Sequence, residues 1–183
     1  RGGSSGRLPA FPAYRAPLYC VRYAMKFSST RFGTLEVSDD SILTFPSGIL
    51  GFPDWTRYVI LDHGTDAPFK WLHCIEEPSL AFVVLDPVLF HANYRVEIPD
   101  DVLAEVKGTA ADGLTLAVIL TIPSEDPGRI TANLRGPLLM NPTTRLCKQM
   151  VLSDEYPTRY PVFSIPSVRQ SGQTESRSET IPA

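Results

Sequence analysis

Phe45-Pro46-Ser47-Gly48-Ile49-Leu50-Gly51-Phe52-Pro53 combines a turning backbone with the side chains of a core. Two glycines three residues apart, with a proline on either side, favour a chain that reverses. Apart from Ser47, the remaining side chains are Phe, Ile, Leu and Phe. Surface loops are ordinarily polar, because their backbone faces water. Two readings fit this combination. In one, the loop folds back as a plug on the open end of a sheet. In the other, it presents an apolar contact surface to another protein.

Strand patterns lie on both sides of this stretch. Before it, Arg31–Val37 alternates like a half-buried strand, Ser38–Ser41 has turn chemistry, and Ile42–Phe45 is a second strand; the spacing favours a hairpin between the two. After it, Asp54 is placed to cap one helical turn over 54–57. Strands are then expected at Tyr58–Leu61 and Phe69–Ile75, the latter with Phe69, Trp71, His73 and Ile75 on one face and Lys70, Leu72 and Cys74 on the other. Leu80–Leu85 is apolar on both faces, which places it centrally with cover on each side. Tyr94–Ile98 alternates and is expected as a strand ending at Pro99. Pro99–Val106 is the one good helix, with Asp100 and Asp101 in its first turn and Gly108 as its cap. Leu114–Ile122, Ile130–Leu134, Pro137–Asn141 and Leu146–Leu152 complete the strands, the last two joined by the turn-rich Asn141–Arg145. About ten short strands and one short helix specify an all-β, mostly antiparallel domain, a small barrel-like fold or sandwich. The βαβ alternation of a parallel sheet is absent.

Composition sets the limits of this domain. The chain has 183 residues, 43% of them hydrophobic and 20% charged, as expected for a globular protein. Seventeen prolines argue against long helices. No run approaches the roughly 20 apolar residues that span a bilayer, so no membrane partner is expected. Residues 1–24 carry Arg1, Arg7, Arg15 and Arg22 and no acid. Such a start suits a transit peptide, or translated upstream sequence with Met25 as the natural start. The second fits better, because a domain-like pattern begins at Met25. The expected organisation is a disordered or non-native extension over 1–24, a body over 25–163 and a disordered tail over 164–183. The body holds 11 Lys/Arg against 18 Asp/Glu, a net of −7, which disfavours direct nucleic-acid binding.

Nothing in the sequence assembles a catalytic or metal site. Cys20, Cys74 and Cys147 have no metal-ligand spacing and no CxxC pattern, and point to a reducing compartment. His73 is expected as a half-buried structural residue and His91 as exposed. His63 lies in a turn beside Asp62 and near Asp66, the one polar cluster that could serve a small β-barrel enzyme or ligand-binding protein. It lacks a third ligand at metal spacing. The acidic pairs all fall in turns or at the helix start, where local preference explains them. No nucleophile elbow, P-loop or dinucleotide fingerprint is present. Catalytic residues, cofactor and metal are therefore all expected to be none. Asn133, Asn141 and Gln149 are amides in or beside strands, suited to satisfying backbone groups at turns or to bonding a partner's backbone.

Several blocks occur together in a recognisable order across 27–161: Phe32-Gly33-Thr34-Leu35-Glu36-Val37, Ile42 through Phe52, Pro68-Phe69-Lys70-Trp71-Leu72, Leu80 through Pro87, Asn133 through Arg145, Gln149 and Tyr156-Pro157. This series resembles the flagellar assembly factor FliW family. Gly136 departs from it, standing where a small or apolar residue such as Ala is expected. The resemblance implies a β-barrel-like cytoplasmic protein without catalysis, a monomer on its own. It further implies two protein partners: flagellin before export, and the RNA-binding translational repressor CsrA, whose capture relieves repression of flagellin translation. An acidic body is compatible with a basic RNA-binding partner. The residues expected to contact partners are Ile49, Leu50, Phe52, Asn133, Asn141 and Gln149, with Leu50 foremost because it stands at the tip of its loop.

Overall fold

The computed structural model describes residues 24–62, 68–109 and 112–163. Strands β1 (Ala24–Ser29) and β2 (Gly33–Ser38) form an antiparallel hairpin. The other strands belong to one antiparallel sheet: β3 (Ile42–Thr44), β4 (Arg57–Asp62), β5 (Lys70–Cys74), β6 (Ala81–Leu85), β7 (Thr115–Thr121), β8 (Thr131–Ala132), β9 (Leu138–Met140), β10 (Cys147–Gln149) and β11 (Tyr160–Pro161). Its order is β10-β9-β7-β6-β5-β4-β3, and β8 links β7 to β11. The sheet curls until its two ends meet at a single parallel bridge, Thr44 to Leu146, where Thr44 N–H donates to Arg145 O at 2.8 Å. The architecture is all-β and barrel-like, as expected, but one bridge is not a ladder, so the barrel does not close.

Alternation along the strands separates an inside from an outside. Leu43, Tyr58, Leu72, Cys74, Val84, Ala117, Leu138 and Cys147 point inward and form the interior core together with Phe45 and Ile49. The intervening residues point outward and are covered by three separate layers. The β1–β2 hairpin lays Phe27 on Val59 and Ile75. Tyr94, Leu134 and Val162 cover Val83, Leu85 and Val118. Helix α1 (Asp100–Glu105) and the residue after it, Val106, cover Leu139 and Met150. β6 lies between β5 and β7 with both faces covered, as its uninterrupted apolar run requires.

Several local expectations change. β2 pairs with β1, and β3 pairs with β4 through Ile42↔Val59, so no β2–β3 hairpin forms. The reason lies in Asp39–Ser41, a 3-10 turn in which Ser41 Oγ donates to Ser38 O, redirecting the chain from one sheet to the other. The helical turn expected over 54–57 is also absent. The N–H groups of Thr56 and Arg57, which would open it, donate instead to Glu76 Oε2 at 2.9 and 3.1 Å. Tyr94–Ile98 is not a strand. Its alternation records side chains turned inward: Tyr94 Oη donates to Leu134 O, while the segment's own backbone accepts from a side chain, Tyr156 Oη donating to Arg95 O.

Helix α1 starts at Asp100, with Pro99 as its N-cap, and its C-terminal cap is displaced by one residue from the expected Gly108. Lys107 takes the left-handed conformation (φ 49°), and Gly108 N–H returns to Leu103 O at 2.9 Å in a Schellman arrangement. β11 has no counterpart among the expected strands. The extension and tail expectations fall on residues almost wholly outside the described ones, although β1 already begins at Ala24. No helix among the described residues is long and apolar enough to cross a membrane.

Candidate functional site

The stretch 45–53 links β3 to β4 as two consecutive turns. Gly48 N–H donates to Phe45 O at 2.8 Å, and Phe52 N–H donates to Ile49 O at 2.7 Å. Gly48 has φ +65°, and a Cβ there would lie 2.5 Å from Phe52 O, so only glycine fits. Gly51 has φ +87° at the third position of the second turn, where a type II turn requires glycine. The loop divides its apolar side chains between the interior and the surface. Phe45 (0% exposed) and Ile49 (1%) plug the interior, with Phe45 meeting Tyr58 edge-on at 5.4 Å. Leu50 (63% exposed) and Phe52 (37%) stay outside, Phe52 resting edge-on against Phe82 at 5.4 Å.

The tip is held from across the barrel. Gln149 at the end of β10 accepts from Leu50 N–H through Oε1 at 2.8 Å and donates through Nε2 to Gly136 O at 3.1 Å. Its buried amide is satisfied at both ends. Lys148 reaches Ser47 Oγ at 3.4 Å and Glu105 at 2.7 Å, so β10 also grips the flank of the loop. The glycine at 136 has a local reason. A Cβ there would stand 2.9 Å from Asn133 Nδ2 and 3.0 Å from Gln149 Nε2, so the glycine leaves room for the Gln149 latch.

The six expected contact residues fall into three situations. Leu50 and Phe52 are accessible. Ile49 belongs to the interior core. The three amides are engaged within the chain. Asn133 Oδ1 accepts from Arg135 and Gly136 N–H, both at 3.1 Å, and Gln149 joins the loop as above. Asn141, wholly buried, accepts from Thr143 and Thr144 N–H and donates to Val106 O at 3.1 Å. Val151, 65% exposed and two residues past Gln149, is a further apolar residue that sequence reasoning missed. Its run, Leu146–Leu152, reads as a continuous strand, whereas β10 stops at Gln149.

The titratable groups act as fasteners. Burial alone would raise the Glu76 carboxyl, but hydrogen bonds from Thr56 N–H and from Arg57, with the Arg57 charge, outweigh it and hold the group below its ordinary value. The pair Arg57–Glu76 spans 3.0 Å and fixes the exit of the loop. Burial pushes the Cys147 thiol up to about 12 and raises Cys74 as well, so both are inert core residues, as expected. Cys20 lies outside the described residues.

Ser29 and His73 form a pair that resembles a nucleophile and its base, with Oγ and Nε2 at 2.8 Å. Ser29 Oγ, however, already accepts from Arg31 and Phe32 N–H, and His73 Nδ1 faces Cys74 O. Both side chains are buried, so the pair pins the β1–β2 hairpin to β5. His73 is thus more deeply buried than expected. His91 is half-buried rather than exposed, with its ring 5.1 Å from that of Tyr160. Of the polar cluster near 63, His63 and Asp66 lie outside the described residues, and Asp62 pairs with Lys70. No group of three metal-ligating side chains occurs among the described residues.

Comparison with known proteins adds four findings. The family model described as FliW protein matches residues 26–162. The chain is 36% identical over 149 residues to the flagellar assembly factor FliW of Natranaerobius thermophilus, covering 81% of this chain and 99% of that protein. It is 41% identical over 125 residues to the protein of the same name from Leptospira interrogans, covering 68% and 83%. A crystal structure of the flagellar assembly factor FliW superposes with a TM-score of 0.70 at 30% identity, over 76% of this chain and 98% of the other.

Proposed function

The chain belongs to the FliW family of flagellar assembly factors, and from that premise we propose that it acts in the cytoplasm by binding rather than by catalysis. It holds flagellin before export. When flagellin has left, it captures the translational regulator CsrA and relieves repression of flagellin translation. The observation that carries this reading is Leu50: a 63% exposed leucine on a turn braced by Gly48, Gly51 and Gln149. An apolar side chain presented on a rigid turn loses little entropy when a partner covers it. The body's net charge of −7 over 25–163 supports a basic partner such as an RNA-binding protein.

The test is a pull-down and a calorimetric titration of the purified chain with flagellin and, separately, with CsrA. Binding to each at micromolar concentration is expected, with Leu50→Asp weakening at least one of the two. Circular dichroism of the same variant checks that it is still folded. Absence of binding to both partners by the unmodified chain ends the proposal.

A further inference from the structure

A cleft of about 370 Å³ lies between the β1–β2 turn and the β5–β6 turn. Its walls are Thr30, Arg31, Trp71, Pro78, Ser79 and Ala81, with His73 beneath. The two turns are joined by Thr30, whose N–H and Oγ1 both donate to Pro78 O at 2.9 and 3.2 Å. Arg31 is fixed at both ends. Its N–H donates to Ser29 Oγ, and its guanidinium carbon lies 4.5 Å from the centre of the Trp71 ring.

Stacking on an indole uses the face of a guanidinium and leaves the N–H groups along its edge available. Those of Arg31 have no acceptor among the described residues. No Asp or Glu is among the described lining residues, although the body as a whole is acidic. In the adjoining turn, Glu77 is committed through Oε1 to the N–H and Oγ of Ser79, which hold its carboxyl below the ordinary value, and Glu76 to Thr56 and Arg57.

We propose that this cleft recognises one carboxylate, carried by an Asp or Glu side chain of a partner polypeptide and bound edge-on by Arg31. A fork of parallel N–H donors matches the two oxygens of a carboxylate. A polypeptide is the source that fits. The net charge of −7 over 25–163 opposes a polyanion such as nucleic acid, and Arg31 already covers the Trp71 face on which a base would stack. The volume suits one or two side chains. This site is separate from the Leu50 tip. Ala81 faces the cleft, while its neighbour Phe82 meets Phe52 on the other face of β6. The proposal stands whether or not the tip binds flagellin or CsrA.

The experiment uses the full chain labelled with 15N. It follows the Trp71 indole N–H and the Arg31 Nε–H, and a Trp71→Phe variant distinguishes Trp71 from Trp55. The probe is acetyl-Ala-Glu-Ala-amide, with acetyl-Ala-Gln-Ala-amide and inorganic phosphate as comparisons. Saturable shifts of both resonances at millimolar glutamate peptide are expected, with none from the glutamine peptide. Arg31→Gln, with the rest of its spectrum unchanged, should bind at least about tenfold more weakly, and Arg31→Lys should fall between, because it keeps the charge and loses the fork. Equal shifts from the glutamine peptide, a titration unaltered by Arg31→Gln, or a response to phosphate alone would overturn the proposal.

Discussion

The Phe45–Pro53 loop and the Asn141–Arg145 turn both connect adjacent strands, and both are organised by a buried amide. In the turn, every side-chain bond of Asn141 serves the fold: two to its own turn and two to Val106 O and Lys107 O, at the end of α1. The residues it leaves exposed are Pro142, Thr143, Thr144 and Arg145. In the loop, Gln149 satisfies the backbone equally well, yet what it leaves exposed is Leu50. Folding accounts for all of the turn. It accounts for Phe45, Gly48 and Ile49 of the loop, and not for Leu50. Covering a leucine of this kind contributes roughly 1.5–3 kcal/mol, and none of the described residues provides the cover.

Four substitutions sharpen or break this comparison. Gly48→Ala should have the largest effect, about 3 kcal/mol of lost stability in urea denaturation, because it combines a left-handed φ with overlap on backbone atoms. A loss near zero would mean that the paired turns of the loop are not rigid. Asn141→Ala should cost about 2 kcal/mol by leaving the N–H groups of Thr143 and Thr144 without their acceptor and Val106 O with Thr144 Oγ1 as its remaining side-chain donor, with partner capture unchanged. If capture fell while the protein remained folded, the turn would not be purely structural.

Glu76→Gln should cost about 1 kcal/mol near neutral pH, through weakened bonds to Thr56 and Arg57 at the exit of the loop. Its pH dependence has a definite sign. A carboxyl held below its ordinary value stabilises the fold above the unfolded group's pKa, and that contribution disappears as pH falls through the folded group's pKa. Denaturation curves of the variant and the parent should therefore converge in acid and diverge at neutral pH. Leu50→Ser should change stability least, by under about 0.5 kcal/mol, while weakening partner binding by about tenfold or more. If Leu50→Ser destabilised the fold as much as Asn141→Ala, the tip would be part of the plug and the contrast between the two regions would be lost.

Much of the fold was legible where one residue's neighbours decide its place. Leu72 and Cys74 face inward and Trp71 and His73 outward, because side chains alternate along any strand. The apolar run at 80–85 lies in mid-sheet, and the acid-rich start at 100–101 opens the helix. The same alternation misled at Tyr94–Ile98, since inward-turning side chains do not require a paired backbone. The partner of β2 was likewise hidden, because a three-residue turn can close a hairpin or divert the chain to another sheet.

Within the candidate site, the sequence by itself determined that residues 45–53 turn on glycine and carry core-like side chains, since both properties are local. It also marked Gln149 as an amide needing partners. Only the tertiary structure decided which side chains of the loop are sealed inside and which face water. That division depends on contacts distant in the chain: Leu50 N–H meets a side chain 99 positions away, and Phe45 packs on Tyr58 across the strand pair. Backbone conformation follows from neighbours along the chain, whereas burial follows from neighbours in space. Ile49 and Leu50, adjacent and alike in hydrophobicity, are separated only by that second kind of neighbour.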